Sequence, residues 1–131
     1  MNRMSSISAF RTLTTLSALA IPLLAAPVSA AAQTAFNGMW SVLIITDSGP
    51  CDRAYRYPVR VANGRVSYAG EADFTVNGRV SGNGAVNVSV TRGSQRASGS
   101  GRLSLGSGSG SWRGSGPQGT CVGTWMAEKR G

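Results

Sequence analysis

The feature that most narrows the fold of this chain is alternation. From Tyr55 to Trp112, apolar side chains alternate with polar ones in short runs, and turn-forming residues separate the runs. A period of two belongs to strands whose two faces meet different surroundings. Tyr55, Tyr57, Val59 and Val61 share one face, against Arg56, Pro58 and Arg60 on the other. Val66 and Tyr68 oppose Arg65 and Ser67, while Phe74, Val76, Gly78 and Val80 oppose Thr75, Asn77 and Arg79. Val86, Val88 and Val90 oppose Asn87, Ser89 and Thr91. Ala97, Gly99, Gly101 and Leu103 oppose Arg96 and Arg102, and Trp112 opposes Ser111 and Arg113. One face is therefore apolar or glycine, and the other collects seven arginines.

The runs predict eight strands, near 38–46, 53–61, 64–70, 72–81, 84–92, 95–104, 109–114 and 120–128, with no helical period among them. Most connections are a few residues long, and Asn63-Gly64 and Asn83-Gly84 are hairpin signals. The expected fold is all-β, an eight-stranded antiparallel up-and-down meander. In such a meander the first and last strands run antiparallel, which brings the end of the first beside the start of the last. Cys51 follows the first strand and Cys121 opens the eighth. A Cys51–Cys121 bridge would lock that seam, close the sheet into a barrel and remove the edges that invite aggregation. With 70 positions between the two cysteines, the bridge contributes up to ~4 kcal/mol in the chain-entropy model. A reactive thiol pair is the alternative, but CxxC spacing is absent.

A different kind of segment precedes the barrel. Arg3 and Arg11 flank a polar opening, Leu13 to Leu24 is mostly apolar, and Ala26-Pro27-Val28-Ser29-Ala30 supplies small residues. This pattern predicts a secretory leader over 1–30. Its apolar core of about a dozen residues falls short of the ~20 needed to cross a bilayer. The expected organisation is leader 1–30, a flexible stretch 31–37, one barrel domain 38–128 and a tail 129–131. The expected product is periplasmic or secreted, monomeric and without a membrane span once the leader is removed.

Composition excludes several function classes. The absence of histidine removes the usual general base, zinc ligand and haem ligand together. No cofactor, metal or catalytic residue is therefore assigned. The whole chain carries a net charge of +8, and without Arg3 and Arg11 eleven basic residues face five acidic ones, leaving +6. Ten of the eleven are arginine, whose planar fork suits phosphates, carboxylates and acidic polymers. Exposed Arg56, Arg60, Arg65, Arg79 and Arg102 thus point to an anionic envelope component or extracellular material, with a partner protein as the other candidate. Simple solubility is the plainer account of the same charge. Because parity sends aromatic rings inward and arginines outward, no base-stacking platform is presented, and sequence-specific nucleic-acid binding is not expected.

Strand alternation places the loops near 47–52, 71, 93–94 and 115–119 at one end. Asp47, Asp52, Glu71, Asp73, Arg53 and Arg92 fall there. The candidate binding rim is formed by the two long loops beside the disulfide, with Asp47, Asp52, Arg53 and Arg92 converging on it. Capping of the turn at Gly49-Pro50 explains the two aspartates more plainly. As a carboxylate pair they would suit glycosidic chemistry, but a closed barrel of this size leaves no long groove. Calcium at Asp47, Asp52 and Asp73 lacks an ordered ligand spacing. Inhibition of a basic hydrolase is disfavoured by like charge. The interior holds the expected core aromatics Trp40, Trp112, Trp125, Tyr55 and Tyr57. Ala97, Gly99, Gly101, Gly110 and Gly114 either leave room for a small ligand or let a narrow barrel close tightly over the tryptophans. The closed interior is the plainer expectation.

Gly38-Met39-Trp40 on the first strand of such a meander resembles the GxW of the calycin group, the lipocalin, avidin and bacterial metalloprotease-inhibitor barrels. The resemblance implies a basic residue of the last strand set against Trp40, with Lys129 and Arg130 as the candidates. The run from Gly38-Met39-Trp40 through Asp47-Ser48-Gly49-Pro50-Cys51-Asp52-Arg53-Ala54-Tyr55 to Cys121-Val122-Gly123-Thr124-Trp125 resembles a set of small exported bacterial proteins. That resemblance implies export but no activity.

Overall fold

Strands form where the alternation predicts them: β1 Gly38–Ser48, β2 Ala54–Ala62, β3 Arg65–Tyr68, β4 Thr75–Val80, β5 Ala85–Arg92, β6 Gln95–Leu103, β7 Ser107–Gly116 and β8 Gly119–Lys129. The computed structural model describes residues 12, 14–20 and 34–131, so the expected cleavage site and most of the leader lie outside the described residues. Each strand pairs antiparallel with the next, and β8 returns to β1, so the sheet is a closed eight-stranded barrel. Inward valines are buried or half-buried while the alternate arginines are exposed. This is the reverse of a lipid-spanning barrel, whose outer face is apolar. Among the described residues no helix is long and apolar enough to cross a membrane.

The seam is closed as its cysteines predict. Cys51 and Cys121 are bonded, with their Cα atoms 6.1 Å apart. Gly49, at φ +106°, lets the chain turn tightly there, and a Cβ on it would lie 2.3 Å from the Thr120 carbonyl oxygen and 2.8 Å from the Cys121 Sγ. Beside it, buried Thr46 anchors the β1–β2 connection twice, its Oγ1 donating to the Asp52 carbonyl at 2.6 Å and its backbone N–H to the Arg53 carbonyl at 2.9 Å.

Turn chemistry agrees with expectation at one signal and departs from it at another. Asn63 (φ 51°) and Gly64 (φ 78°) both take the left-handed conformation of a two-residue hairpin. Asn83-Gly84 instead ends a four-residue connection, in which the Ser81 and Asn83 side chains accept from the Ala85 N–H. The connection expected to be long near 115–119 is a two-residue turn, Pro117-Gln118, because β7 pairs with β8 as far as Gly116 and Gly119. Apart from Trp112 and Arg113, β7 alternates serine and glycine, so its ends carry no hydropathy signal. The span 69–74, between β3 and β4, is the longer connection at that end.

Residues 34–37, expected to be part of a flexible stretch, are packed. Phe36 is buried beneath the barrel, its carbonyl accepts the Trp40 indole N–H at 2.9 Å, and Asn37 accepts from the Asn63 N–H at 2.8 Å. A Cβ added at Gly84 would lie 3.3 Å from the tip of the Phe36 ring. The end of the barrel opposite the disulfide is therefore plugged.

Candidate ligand-binding cavity

On β2 and β5 the exposure of the inward face rises from the plugged end toward the disulfide. On β2, Val61 is 3 % and Val59 8 % exposed, Tyr57 is half-buried and Tyr55 reaches 45 %. On β5, Val86 is buried, Val88 and Val90 are half-buried and Arg92 is exposed. These inward faces enclose a cavity of ≈ 430 Å³, floored by Trp40, Val61, Val80, Leu103 and Ala127. Ligand pockets commonly measure ~300–1,000 Å³ and are mostly apolar with a few polar groups. The tightly closed interior that was the plainer expectation is not what forms.

The reason lies in how the tryptophans are seated. Trp112 on β7 is flanked in register by Gly99 and Gly123, and Trp125 on β8 is opposite Gly110. The Trp112 indole N–H passes over Gly123 to donate to the Ile45 carbonyl on β1 at 2.9 Å. The Trp125 N–H passes over Gly110 to the Ser100 carbonyl on β6 at 3.0 Å. A Cβ at Gly110 would fall 2.5 Å from the Trp125 Nε1, and one at Gly123 2.7 Å from the Trp112 Nε1. Each ring lies along the wall across a glycine-bearing strand, so the small residues accommodate tryptophan and the centre stays open.

Aromatic rings line one side of the mouth. Tyr55 stacks on Tyr57 at 5.6 Å, and Phe74 meets Tyr57 at 5.0 Å and Tyr68 at 5.5 Å edge to face. The Arg92 guanidinium lies 4.9 Å from the centre of the Phe74 ring. A hydrogen bond to the Asp52 carboxylate holds the Tyr55 phenol above its ordinary pKa, an effect that Arg92 opposes. Burial raises the Tyr57 phenol as well, with smaller contributions from Tyr55 and Tyr68.

Of the four residues expected to converge on this rim, Asp52 and Arg92 line the cavity. Asp47 lines a depression on the outer wall with Asn87, Ser89 and Ser111, so it does not pair with Asp52. The Arg53 side chain is exposed and takes no part in the lining, while its carbonyl serves the Thr46 anchor. Two physical facts break the convergence. The outward parity of Asp47 carries it through the wall, and the turn's cohesion comes from backbone carbonyls. Among the described residues no three metal-ligating side chains gather.

Trp40 and Trp125 are buried core residues as expected, Trp112 and Tyr57 are half-buried lining, and Tyr55 belongs to the mouth and not to the core. Arg56, Arg60, Arg65, Arg79 and Arg102 are all exposed on the outer wall. Arg56 donates to the Ser41 Oγ at 3.3 Å and Arg102 to the Asn83 carbonyl at 3.2 Å. Lys129 is the register partner of Trp40 across the seam, while Arg130 pairs with Glu128 at 3.1 Å. Sequence reasoning did not single out Phe36, Phe74 or Tyr68 for the site. The signal for Phe74 and Tyr68 was the same parity that turned Tyr57 inward, read only as core.

No protein-family model, curated protein or solved structure matches this chain.

Proposed function

We propose that the protein acts by binding a small, largely apolar molecule inside the barrel, without catalysing a reaction on it. The cavity carries this reading: it is open at one end, plugged at the other and lined by valine, tryptophan and glycine, with polar groups confined to the mouth. Burial of apolar ligand surface at ~25 cal/mol per Å² supplies the affinity. The disulfide lies at the mouth, where it holds β1 to β8 and keeps the opening in shape. It is compatible with a periplasmic or extracellular location, where disulfides persist.

The test is to fill the cavity from within. Ala97 faces inward in its upper half, so Ala97→Phe places a ring in the open space. The environment-sensitive neutral dye N-phenyl-naphthylamine is expected to brighten on the oxidised wild-type protein and not on Ala97→Phe, with the melting temperature of the variant equal or higher. Equal brightening of the two proteins would place the dye elsewhere and refute the reading.

A second reading rests on one outer-wall observation. Arg65 and Arg79 are direct cross-strand partners. Like charges so placed destabilise a sheet, and among the described residues the single ion pair is Arg130–Glu128. An anionic envelope surface or polymer seated on Arg65 and Arg79 would relieve that repulsion.

A further inference from the structure

We propose that the ligand is an amphipathic anion, held with its apolar body in the barrel and its acidic head at Arg92; this rests on the reading of the interior as a binding site. Arg92 continues the inward series Val86, Val88, Val90 on β5, so parity alone brings a cation to the top of an apolar wall. A charge at the end of an apolar run requires a counterpart or water. Arg92 has no carboxylate within ion-pair distance, since the sole pair among the described residues is Arg130–Glu128. One face of its guanidinium rests on the Phe74 ring. That contact orients the planar group and leaves its edge N–H donors free for a carboxylate, sulfonate or phosphate.

The other charged groups at this end do not reverse the preference. Asp52 is the one carboxylate that lines the cavity, and it is not within ion-pair distance of Arg92. Glu71 and Asp73 lie in the β3–β4 connection and take no part in the lining, and Arg96 on the neighbouring β6 is in register with outward Thr91, on the outer wall. An anion seated on Arg92 therefore meets a guanidinium that no carboxylate pairs, with Asp52 as the one negative group in the cavity lining. A head group here keeps part of its hydration, so its charge is not carried into the apolar interior, where desolvation would outweigh the gain. The cavity below has no charged residue down to its floor at Trp40 and Val61, which suits a hydrocarbon or fused-ring body with its polar group at one end.

Two dyes with one ring system separate the contributions. Anilinonaphthalene sulfonate carries the acidic head that N-phenyl-naphthylamine lacks. The oxidised wild-type protein is expected to bind the sulfonate about tenfold more tightly than the neutral dye, the scale of one charge-assisted hydrogen bond at an exposed site. Arg92→Gln is expected to erase that difference, so that the variant binds the two dyes with equal affinity. Paired replacement of Arg65 and Arg79 by Gln is expected to leave the difference intact. Equal binding of the two dyes by the wild type, or a preference that survives Arg92→Gln, overturns the assignment of an acidic head while the binding cavity stands. A preference lost with Arg65 and Arg79 transfers the anion to the outer wall and overturns it too. Failure of the neutral dye to bind at all removes the cavity reading itself.

Discussion

Three indole N–H groups and the glycines beside them determine whether this barrel is solid or hollow. A buried indole needs an acceptor, and each tryptophan finds a backbone carbonyl: Phe36 for Trp40, Ile45 for Trp112, Ser100 for Trp125. Reaching those carbonyls forces the Trp112 and Trp125 rings flat against the wall, which only glycine on the crossed strand permits. Gly110→Ala would put a methyl group 2.0 Å from the Ser100 carbonyl oxygen, so ring and carbonyl must part. Its expected cost is about 3 kcal/mol, from overpacking and the lost hydrogen bond. Gly106→Ala, in a connection with no atom within 4 Å, is expected to change stability by less than about 1 kcal/mol. Thermal unfolding of the two variants measures both, and equal melting temperatures would show that the indole seating is immaterial.

At the level of strands and turns, legibility followed the hydropathy signal. β2 and β5 could be read to within a residue because valine and tyrosine mark their inner faces; β7 could not, because Ser107–Gly116 holds only one large apolar residue, Trp112. The inward position of Arg92 was present in the same parity that placed Val90, yet a charged residue beside a turn reads most simply as a loop residue. The β1–β2 connection shows a further boundary of sequence reasoning. Its aspartate and arginine suggest side-chain chemistry, while its structure rests on the carbonyls of Asp52 and Arg53 held by Thr46. Paired replacement of Asp52 and Arg53 by Ala is accordingly expected to shift stability by no more than about 0.5 kcal/mol, as for ordinary surface changes. Thr46→Val leaves the Asp52 carbonyl without its buried donor and is expected to cost ~1–3 kcal/mol. Urea unfolding midpoints distinguish them, and a larger loss for the surface pair would return structural weight to the side chains.

For the molecule as a whole, the closed barrel and its disulfide were legible because parity, turn spacing and cysteine placement all pointed to the same topology. Whether the interior is open was not, since glycine opposite glycine is equally consistent with a narrow filled barrel until the seating of the tryptophans is known. The closed ladder also sets an order of assembly. Seven of its eight pairings join strands adjacent in the chain and need only short turns, whereas β1 with β8 joins Trp40 to Lys129, nearly the full length of the domain. Long-range pairing is the slow part of β folding because loop closure precedes any gain from the contacts. In the oxidised chain that closure is already made, as Cys51 and Cys121 stay tethered in the unfolded state. The double variant Cys51→Ser with Cys121→Ser is expected to lose up to ~4 kcal/mol and, followed by stopped-flow tryptophan fluorescence, to refold more slowly than oxidised protein. Equal refolding rates would mean that the seam forms after the transition state, so that the covalent link delays unfolding and leaves the speed of assembly to the hairpins.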